Sequence, residues 1–217
     1  MKTLNYLGTV VLAVLAIGCC KTADTTLGQR AEALDDSCWE NSSWISAADA
    51  PVITGKITDN NSRAVDGASW FVAAICNEQK VVDAKWMTTA LGVYDIYVNG
   101  KQIGEEILKP GFTHPFKTKR SFTYDVTTAV ATAKGAENVF AAQVTPGWWG
   151  DKIITPAGHN GMIGRKCAFR GVLELTFADG SKKLYGTDTE NWKAGIAGPV
   201  KHAAIFDGEV YDAREPM

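Results

Sequence analysis

Short β-type segments separated by turn residues run through most of this 217-residue sequence, and they constrain the fold more than any other feature. Few stretches have both the length and the 3.6-residue apolar period of an amphipathic helix. The sharpest unit is residues 92–98 followed by Asn99-Gly100. A type I′ turn needs positive φ at both central residues, and Asn-Gly tolerates it, so the sequence predicts a β-hairpin here.

A second hairpin is predicted around the turn Asp179-Gly180. In the segment before it, Leu173, Leu175 and Phe177 alternate onto one face, which is the period of a half-buried strand. Further strands are predicted at residues 70–75, 81–89, 121–126 and 138–144.

Regularly spaced strands with turn signals between them are typical of sandwiches and jelly rolls. The sequence therefore predicts an all-β fold, an antiparallel β-sandwich of jelly-roll type. One short helix is predicted over residues 127–134, ended by Gly135. Trp86 and Trp192 are predicted to anchor the core.

The composition is that of an ordinary globular protein. The sequence is 46% hydrophobic, and 22 Lys and Arg against 24 Asp and Glu give a formal net charge of −2. This balance excludes a disordered chain, and it offers no basic block that could hold nucleic-acid phosphates. Three His and five Cys show no metal-ligand spacing, so we expect no cofactor. Calcium is left open, because oxygen ligands are abundant although no EF-hand spacing is present.

The first residues predict export. A basic start and the apolar run at residues 7–17 indicate a signal peptide over residues 1–18, since about 20 apolar residues are needed to span a bilayer. Residues 15–19 resemble a bacterial lipobox, which predicts that Cys19 carries lipid. An ordinary signal peptide cut nearby is the alternative. We expect an exported lipoprotein, on the periplasmic side or the cell surface, that meets the membrane only through this anchor.

The remainder divides into two parts. Residues 19–36 are small and polar without apolar periodicity, which predicts a flexible tether. Residues 37–217 contain no fixed-period repeat and are predicted to form one domain. Cys38, Cys76 and Cys167 are widely spaced, so no disulfide framework is expected even in an oxidising compartment.

An aromatic pair, Trp148 and Trp149, is the first candidate for ligand binding. Neighbouring residues on a strand point to opposite faces, so one indole could be buried while the other meets solvent. An exposed indole offers a flat apolar face to a pyranose ring, and Asp151 nearby could bond its hydroxyls. The alternative is that both indoles pack in the core, which is the commoner fate of tryptophan.

A long polar loop over residues 156–166 follows this pair. Its length and composition are typical of a binding loop. His159 and Asn160 are therefore candidate sugar contacts. His159 could also line a site at an interface that the domain shares with a partner. The alternative for His159 is a solvated loop side chain.

Three carboxylate pairs raise the question of glycosidase chemistry, which uses two carboxyl groups about 5 to 10 Å apart. The sequence context favours turn, capping and surface roles for them. The pairs are Glu105 with Glu106, Asp188 with Glu190, and Asp207 with Glu209.

Several runs of residues, in order and at similar spacing, resemble the N-terminal domain of bacterial α-L-rhamnosidases of glycoside hydrolase family 78. The resemblance extends over about residues 70–214. Its runs are residues 90–94, 98–101, 109–113, 124–127, 147–149, 178–181, 187–188, 192–193, 198–199, 207–209 and 211–214.

The resemblance implies a β-sandwich that, in the family, precedes an (α/α)₆ barrel carrying the catalytic glutamates. None of the 217 residues matches those catalytic positions, so none is assigned a catalytic role. The function it implies is a non-catalytic, carbohydrate-associated module without that barrel, whose partners are rhamnose-containing glycans or a downstream catalytic domain. Two alternatives remain open. One is a docking module without a ligand, and the other is an independent glycosidase that uses a carboxylate pair.

Overall fold

A computed structural model describes residues 27–49, 67–151, 163–164 and 166–215. The predicted signal peptide and Cys19 lie outside the described residues. Within these ranges, nearly all regular structure is β strand, which confirms the predicted all-β class. No helix in the described ranges is long and apolar enough to cross a membrane.

The elements are numbered in chain order. A 3₁₀ helix, Asp36–Asn41, comes first, and one short helix, α1, interrupts the strands at Gly147–Gly150. The strands are β1 (Ser69–Cys76), β2 (Val81–Leu91), β3 (Val93–Val98), β4 (Lys101–Ile103), β5 (Phe122–Asp125), β6 (Glu137–Thr145), β7 (Ala168–Phe177), β8 (Lys182–Gly186), β9 (Lys193–Gly195), β10 (Val200–Ala204) and β11 (Gly208–Tyr211).

Two antiparallel sheets form the sandwich. One has five strands in the order β4-β3-β6-β1-β9, and the other has four in the order β5-β2-β7-β8. Strands β10 and β11 form a separate hairpin. In β3, buried Tyr94, Ile96 and Val98 alternate with partly exposed residues, because one face of the sheet packs on the core while the other faces outward.

An aromatic cluster holds the two sheets together. Phe169 of β7 lies at its centre, with its ring centroid 5.9 Å from that of Phe71 and 5.8 Å from that of Trp192. Trp86 packs edge-on against Phe140 at 5.2 Å. Each of these side chains is at most 8% exposed, so the predicted core positions of Trp86 and Trp192 are confirmed. Such pairs add about 0.5–1.5 kcal/mol each beyond their buried area.

Both predicted hairpins are present. Asn99 and Gly100 have φ of 51° and 77°, as a type I′ turn between β3 and β4 requires. Gly180, with φ of 83°, lies in the turn between β7 and β8.

The predicted helix over residues 127–134 is wrong, since this segment forms turns. Asparagine side chains bind the backbone groups that a helix would use. Asn138 accepts from Ala131 N at 2.6 Å through Oδ1, and its Nδ2 donates to Ala131 O at 3.1 Å. Asn77 Nδ2 donates to the same carbonyl at 2.6 Å. These bonds compete with a helical ladder, so local propensity does not decide the conformation.

The structure also differs from the predicted tether in its C-terminal part. The backbone of residues 27–31 pairs with the sandwich through Gly104 N to Leu27 O, at 3.0 Å, and Asp125 N to Gln29 O, at 2.9 Å. Leu27 packs against the core. The backbone of a polar segment without apolar periodicity can still form hydrogen bonds with the free groups of an edge strand. The amino-acid composition of the segment does not indicate this pairing.

Candidate functional site

The tryptophan pair lies in α1, a single helical turn, so the opposite-face rule for neighbouring strand residues does not apply to it. Strand β6 ends at Thr145, and Gly147 follows with φ of 42°, a left-handed conformation that favours glycine. A Cβ at Gly147 would collide with Val93. Both indoles are consequently half-buried on neighbouring sides of one turn, instead of pointing to opposite faces of a sheet.

Trp149 is fixed by contacts on several sides. Its Nε1 donates to Lys166 O at 3.0 Å, and Gly164 packs so closely on the indole that any Cβ there would clash. The Nζ of Lys119 lies 5.5 Å from the ring centroid, within range of a cation–π contact. The ring is thus held rigidly, with little freedom to adapt to a ligand.

Trp148 contributes to a shallow surface with Phe112. Their ring centroids are 5.7 Å apart, and Phe112 is 58% exposed. Together with Lys119, Arg120 and Trp149, these residues line what we term the aromatic crevice. Its cavity volume is about 30 Å³, the share of a single water molecule. The crevice therefore offers an aromatic surface, and not an enclosed pocket.

The other predicted sugar contacts are placed differently. Asp151 is only 4% exposed, and its Oδ2 accepts from Ile205 N at 2.6 Å. Its carboxylate links the end of α1 to the hairpin of β10 and β11, and little of it is left for a ligand. His159 and Asn160 lie outside the described residues, so their part in the site stays a prediction.

A larger cavity, which we term the hairpin cleft, lies between the outward face of the five-stranded sheet and the β10–β11 hairpin. Its volume is about 430 Å³, within the range of small-molecule sites. Apolar side chains from β3, from the loop after β4 and from the hairpin form much of its wall. Among the described residues, no Lys, Arg or His lines it, and its polar lining includes Asp95, Gln102, Glu105, Glu106, Gln143 and Glu209.

Sequence analysis missed this cleft. In the structure, Asp95 and Gln143 lie on the outward face of β3 and β6, but no pattern in the sequence indicates which loops lie beside them. Gln102 stands on a three-residue strand, too short to carry a periodic signal. The hairpin of β10 and β11 is not among the elements predicted from the sequence.

One wall of the cleft is stiffened by a hydrogen-bonded carboxylate. Tyr124 donates to Glu106 Oε2 at 2.7 Å, and Arg30 Nη1 lies 3.2 Å from Glu106 Oε1. Burial raises the pKa of Glu106, but the hydrogen bonds from Tyr124, the backbone and Arg30 outweigh it, so the pKa lies below its ordinary value. Glu106 is therefore held as an anion.

A buried cation lies behind the same wall. The side chain of Lys109 is fully buried, with Nζ donating to Ile103 O at 3.2 Å and 3.8 Å from Asp95 Oδ1. The same Nζ lies 5.2 Å from the ring centroid of Tyr124. Burial lowers the pKa of Lys109, and the carboxylates of Asp95 and Glu106 act in the opposite sense. This cation fixes the backbone between β4 and the loop that follows.

Two carboxylates of the predicted pairs, Asp188 and Glu106, are engaged in local structure. Asp188 accepts from Glu190 N at 2.8 Å and from Asn191 N at 2.6 Å, which is a turn-capping role. Burial raises the pKa of Asp188, yet the bonds from Asn191 and Glu190 leave it below its ordinary value. Across the described ranges, no three His, Cys, Asp or Glu side chains could jointly hold a metal ion.

Comparison with known families gives a clear match. The family described as "Alpha-L-rhamnosidase N-terminal domain" matches residues 79–217. The α-L-rhamnosidase of Streptomyces avermitilis is 36% identical over 137 residues, which cover 63% of this chain and 13% of that protein. The α-L-rhamnosidase of Alteromonas sp. (strain LOR) is 34% identical over 143 residues, covering 64% of this chain and 15% of that protein.

Solved structures agree with this match. The native α-L-rhamnosidase of Aspergillus terreus superposes with a TM-score of 0.71 at 24% identity, over 84% of this chain and 20% of its own, and so shares the fold. The Streptomyces avermitilis α-L-rhamnosidase, solved in complex with L-rhamnose, gives 0.63 at 33% identity, over 70% of this chain and 14% of its own. The chain thus spans only 13 to 20% of the length of the curated relatives it matches. By its sequence match and its sandwich fold, the chain belongs to the family of α-L-rhamnosidase N-terminal domains, as its resemblance to glycoside hydrolase family 78 indicated.

Proposed function

We propose that this chain serves as a non-catalytic, carbohydrate-associated module of an α-L-rhamnosidase. The observation that carries the proposal is the family match over residues 79–217, which includes every strand from β2 onward. The relatives are named for cleavage of α-L-rhamnosides, and the module is proposed to assist the same reaction by contacting the rhamnose-bearing glycan or the catalytic domain.

The carboxylates support a non-catalytic role. An inverting or retaining glycosidase needs two carboxyl groups across the scissile bond, one of them a general acid with a raised pKa. Asp188 and Glu106 both have lowered pKa values, because backbone and side-chain donors stabilise their charged forms. They are suited to hold structure together at neutral pH, not to deliver a proton. We therefore expect no turnover of an aryl α-L-rhamnoside by this chain alone.

The aromatic crevice is the proposed place of sugar contact. Phe112 and Trp148 present ring surface at the edge of the sandwich, and Trp149 is held rigidly beside them. A rigid aromatic ring can stack on the apolar side of a sugar with little loss of conformational entropy. His159 and Asn160 are proposed to form hydrogen bonds with the hydroxyls of the sugar. Asp151 is proposed to hold the end of α1 in place by accepting a hydrogen bond from Ile205 N.

Titration with L-rhamnose, followed by amide NMR, tests this site. We expect shifts at Phe112 and Trp148 with an affinity of about 10 mM to 10 μM, as one stacked ring and a few hydrogen bonds allow. Phe112→Ala should abolish them. Phe116→Ala is the matched control, because Phe116 is 72% exposed on the same loop but does not line the crevice. Unchanged shifts in Phe112→Ala would contradict the assignment.

A docking role is the second candidate, and a specific observation favours it. The loop between β4 and β5 exposes Ile107 (86%), Leu108 (47%), Phe112 (58%) and Phe116 (72%). Apolar side chains gathered on one loop are typical of an interface with another domain. The L-rhamnose titration separates the two candidates, since a pure docking surface gives no saturable shifts.

We also propose that the protein is an exported lipoprotein anchored through Cys19. The support is the lipobox-like run at residues 15–19 after a short apolar segment. Cys19→Ala should leave an unprocessed or soluble precursor when membranes are fractionated and the protein mass is measured. Normal maturation and membrane association of that variant would contradict the proposal.

A further inference from the structure

The outward face of the five-stranded sheet carries an aromatic pair outside the aromatic crevice. Trp70 of β1 and Tyr97 of β3 have ring centroids 5.8 Å apart at an interplanar angle of 37°. Between them runs β6, where Ala141 stands in register with Tyr97. Ala141 is small, so this position of β6 leaves the two rings room to approach each other, and they form one shallow platform across three strands.

The platform is set in place before any ligand arrives. The edge of the Trp70 indole is held by Gly198, where a Cβ would lie 2.6 Å from Trp70 Nε1. Tyr97 is half-buried in the sheet, and burial, then Asp95 and Tyr211, raise the pKa of its hydroxyl. Both rings are thus restricted by their surroundings, which lowers the entropic cost of binding.

The platform is continuous with the hairpin cleft. Gln143 stands in register with both Trp70 and Asp95, and Gln102 stands in register with Tyr97. The same Gln143, Asp95 and Gln102 line the cleft. A ligand in the cleft would therefore extend directly onto the two rings across a floor of amide and carboxylate groups.

The chemistry of this surface selects a class of ligand. Aromatic faces stack on the C–H side of a sugar, amides both donate to and accept from hydroxyls, and carboxylates accept from them. An anionic ligand is disfavoured, because Asp95 and Glu209 line the cleft and no cationic side chain among the described residues does. A neutral, polyhydroxylated molecule satisfies all of these groups.

We propose that the groove running from the hairpin cleft to the Trp70–Tyr97 platform is a second binding site, which takes a neutral oligosaccharide. It rests on the proposed function for its ligand class, and it adds a site that is separate from the aromatic crevice. A module with two contacts could hold a glycan chain at two points, which raises avidity without tighter single contacts.

The test is an amide NMR titration of the full chain with rutinose, a neutral disaccharide of rhamnose and glucose. We expect saturable shifts at Trp70, Tyr97 and Gln143. Trp70→Leu keeps an apolar side chain but removes the flat ring, and should weaken binding in the groove at least about tenfold. Gln143→Ala, a milder change, should weaken it about threefold or more. Val82→Ala is the matched control, since Val82 is 49% exposed on β2 of the other sheet and belongs to neither the cleft nor the platform.

The outcomes separate the two sites. Shifts in the groove that persist in Phe112→Ala and fall in Gln143→Ala support the second site. Shifts only around Phe112 and Trp148 overturn this inference and leave the proposed function standing. Shifts only in the groove support the inference and contradict the crevice assignment. If no shifts appear in the groove up to about 50 mM rutinose, the inference is overturned. That concentration is above the dissociation constant expected for a stacked disaccharide.

Discussion

Glycines at the hairpin tips and in α1 show two separate reasons why a single position requires glycine in this fold. At Gly100 and Gly180, φ is 77° and 83°, and no described atom lies within 4 Å of the place a Cβ would occupy. A side chain there would meet only the strain of a left-handed backbone. At Gly147, by contrast, Val93 also fills the space, so both sterics and conformation require glycine.

Replacing Gly100 by Val isolates the conformational effect. We expect a loss of about 1–3 kcal/mol in the free energy of unfolding, because a β-branched residue is forced to positive φ. Lys101→Val is the control, since Lys101 is exposed on β4 and should tolerate the change within about 0.5 kcal/mol. Urea denaturation measures both, and an equal effect of the two substitutions would contradict the turn assignment.

The carboxylate of Glu106 predicts a pH dependence of stability. Its pKa in the folded state lies below the ordinary value of 4.5, so the stabilisation is fully present above about pH 5 and is lost as pH falls through the folded pKa. Glu106→Gln should therefore be less stable than the wild type at pH 6, with a difference that shrinks towards pH 3.

A second substitution checks the cause of this dependence. Tyr124→Phe removes a hydrogen bond that lowers the pKa of Glu106, so the folded-state pKa should move back towards the ordinary value. The pH interval over which Glu106 loses its stabilising effect should then become narrower than in the wild type. Thermal unfolding across the pH range gives the measurement. A Glu106→Gln difference that stays constant from pH 6 to pH 3 would contradict the role of this carboxylate.

At the scale of elements, strands could be predicted and short irregular segments could not. Strands β3 and β7 follow from alternation and from turn residues, which act over neighbouring positions. The segment over residues 127–134 looks helical locally, but long-range bonds from Asn77 and Asn138 override that preference. Likewise, Pro146 and Gly147 divert the chain into α1, and this depends on contact with Val93.

Asn138 is expected to hold the whole 127–136 connection in place. It is 1% exposed and also accepts from Asn99 Nδ2 at 2.8 Å, so Asn138→Ala leaves several buried groups without partners. We expect a loss of about 2–4 kcal/mol in the free energy of unfolding. Glu137→Ala, at the exposed neighbouring position, should cost less than about 0.5 kcal/mol in the same urea titration. Comparable losses for both variants would contradict this role.

For the whole molecule, the sandwich was predictable because its longer strands each carry a periodic signal. The surfaces between elements were not, because they depend on how distant segments meet. The hairpin cleft joins β3, β6 and the β10–β11 hairpin, and the Trp70–Tyr97 platform requires the register of three strands. No local pattern in the sequence encodes either arrangement.

A core shared by both sheets predicts that they unfold together. Far-ultraviolet circular dichroism should be dominated by β structure, and its thermal transition should coincide, within about 2 °C, with that of tryptophan fluorescence from the core. Cys167 is buried, whereas Cys76 is exposed, so alkylation should label Cys76 in the native protein and Cys167 only through the same transition. Separate transitions would contradict a shared core.

The pairing of β2 with β7 also sets the earliest point in synthesis at which the four-stranded sheet can be completed. Val81 pairs with Phe177 and Leu91 with Ala168, so the central pair of the four-stranded sheet cannot form until residue 177 is available. Strand β1 likewise waits for β6 and β9. A chain that emerges N-terminus first, from a ribosome or a translocation channel, thus passes through an interval in which β2 lacks β7 and β1 lacks both of its partners. Non-local pairing of this kind makes folding slow, and the early strands are then the natural targets of a holding chaperone.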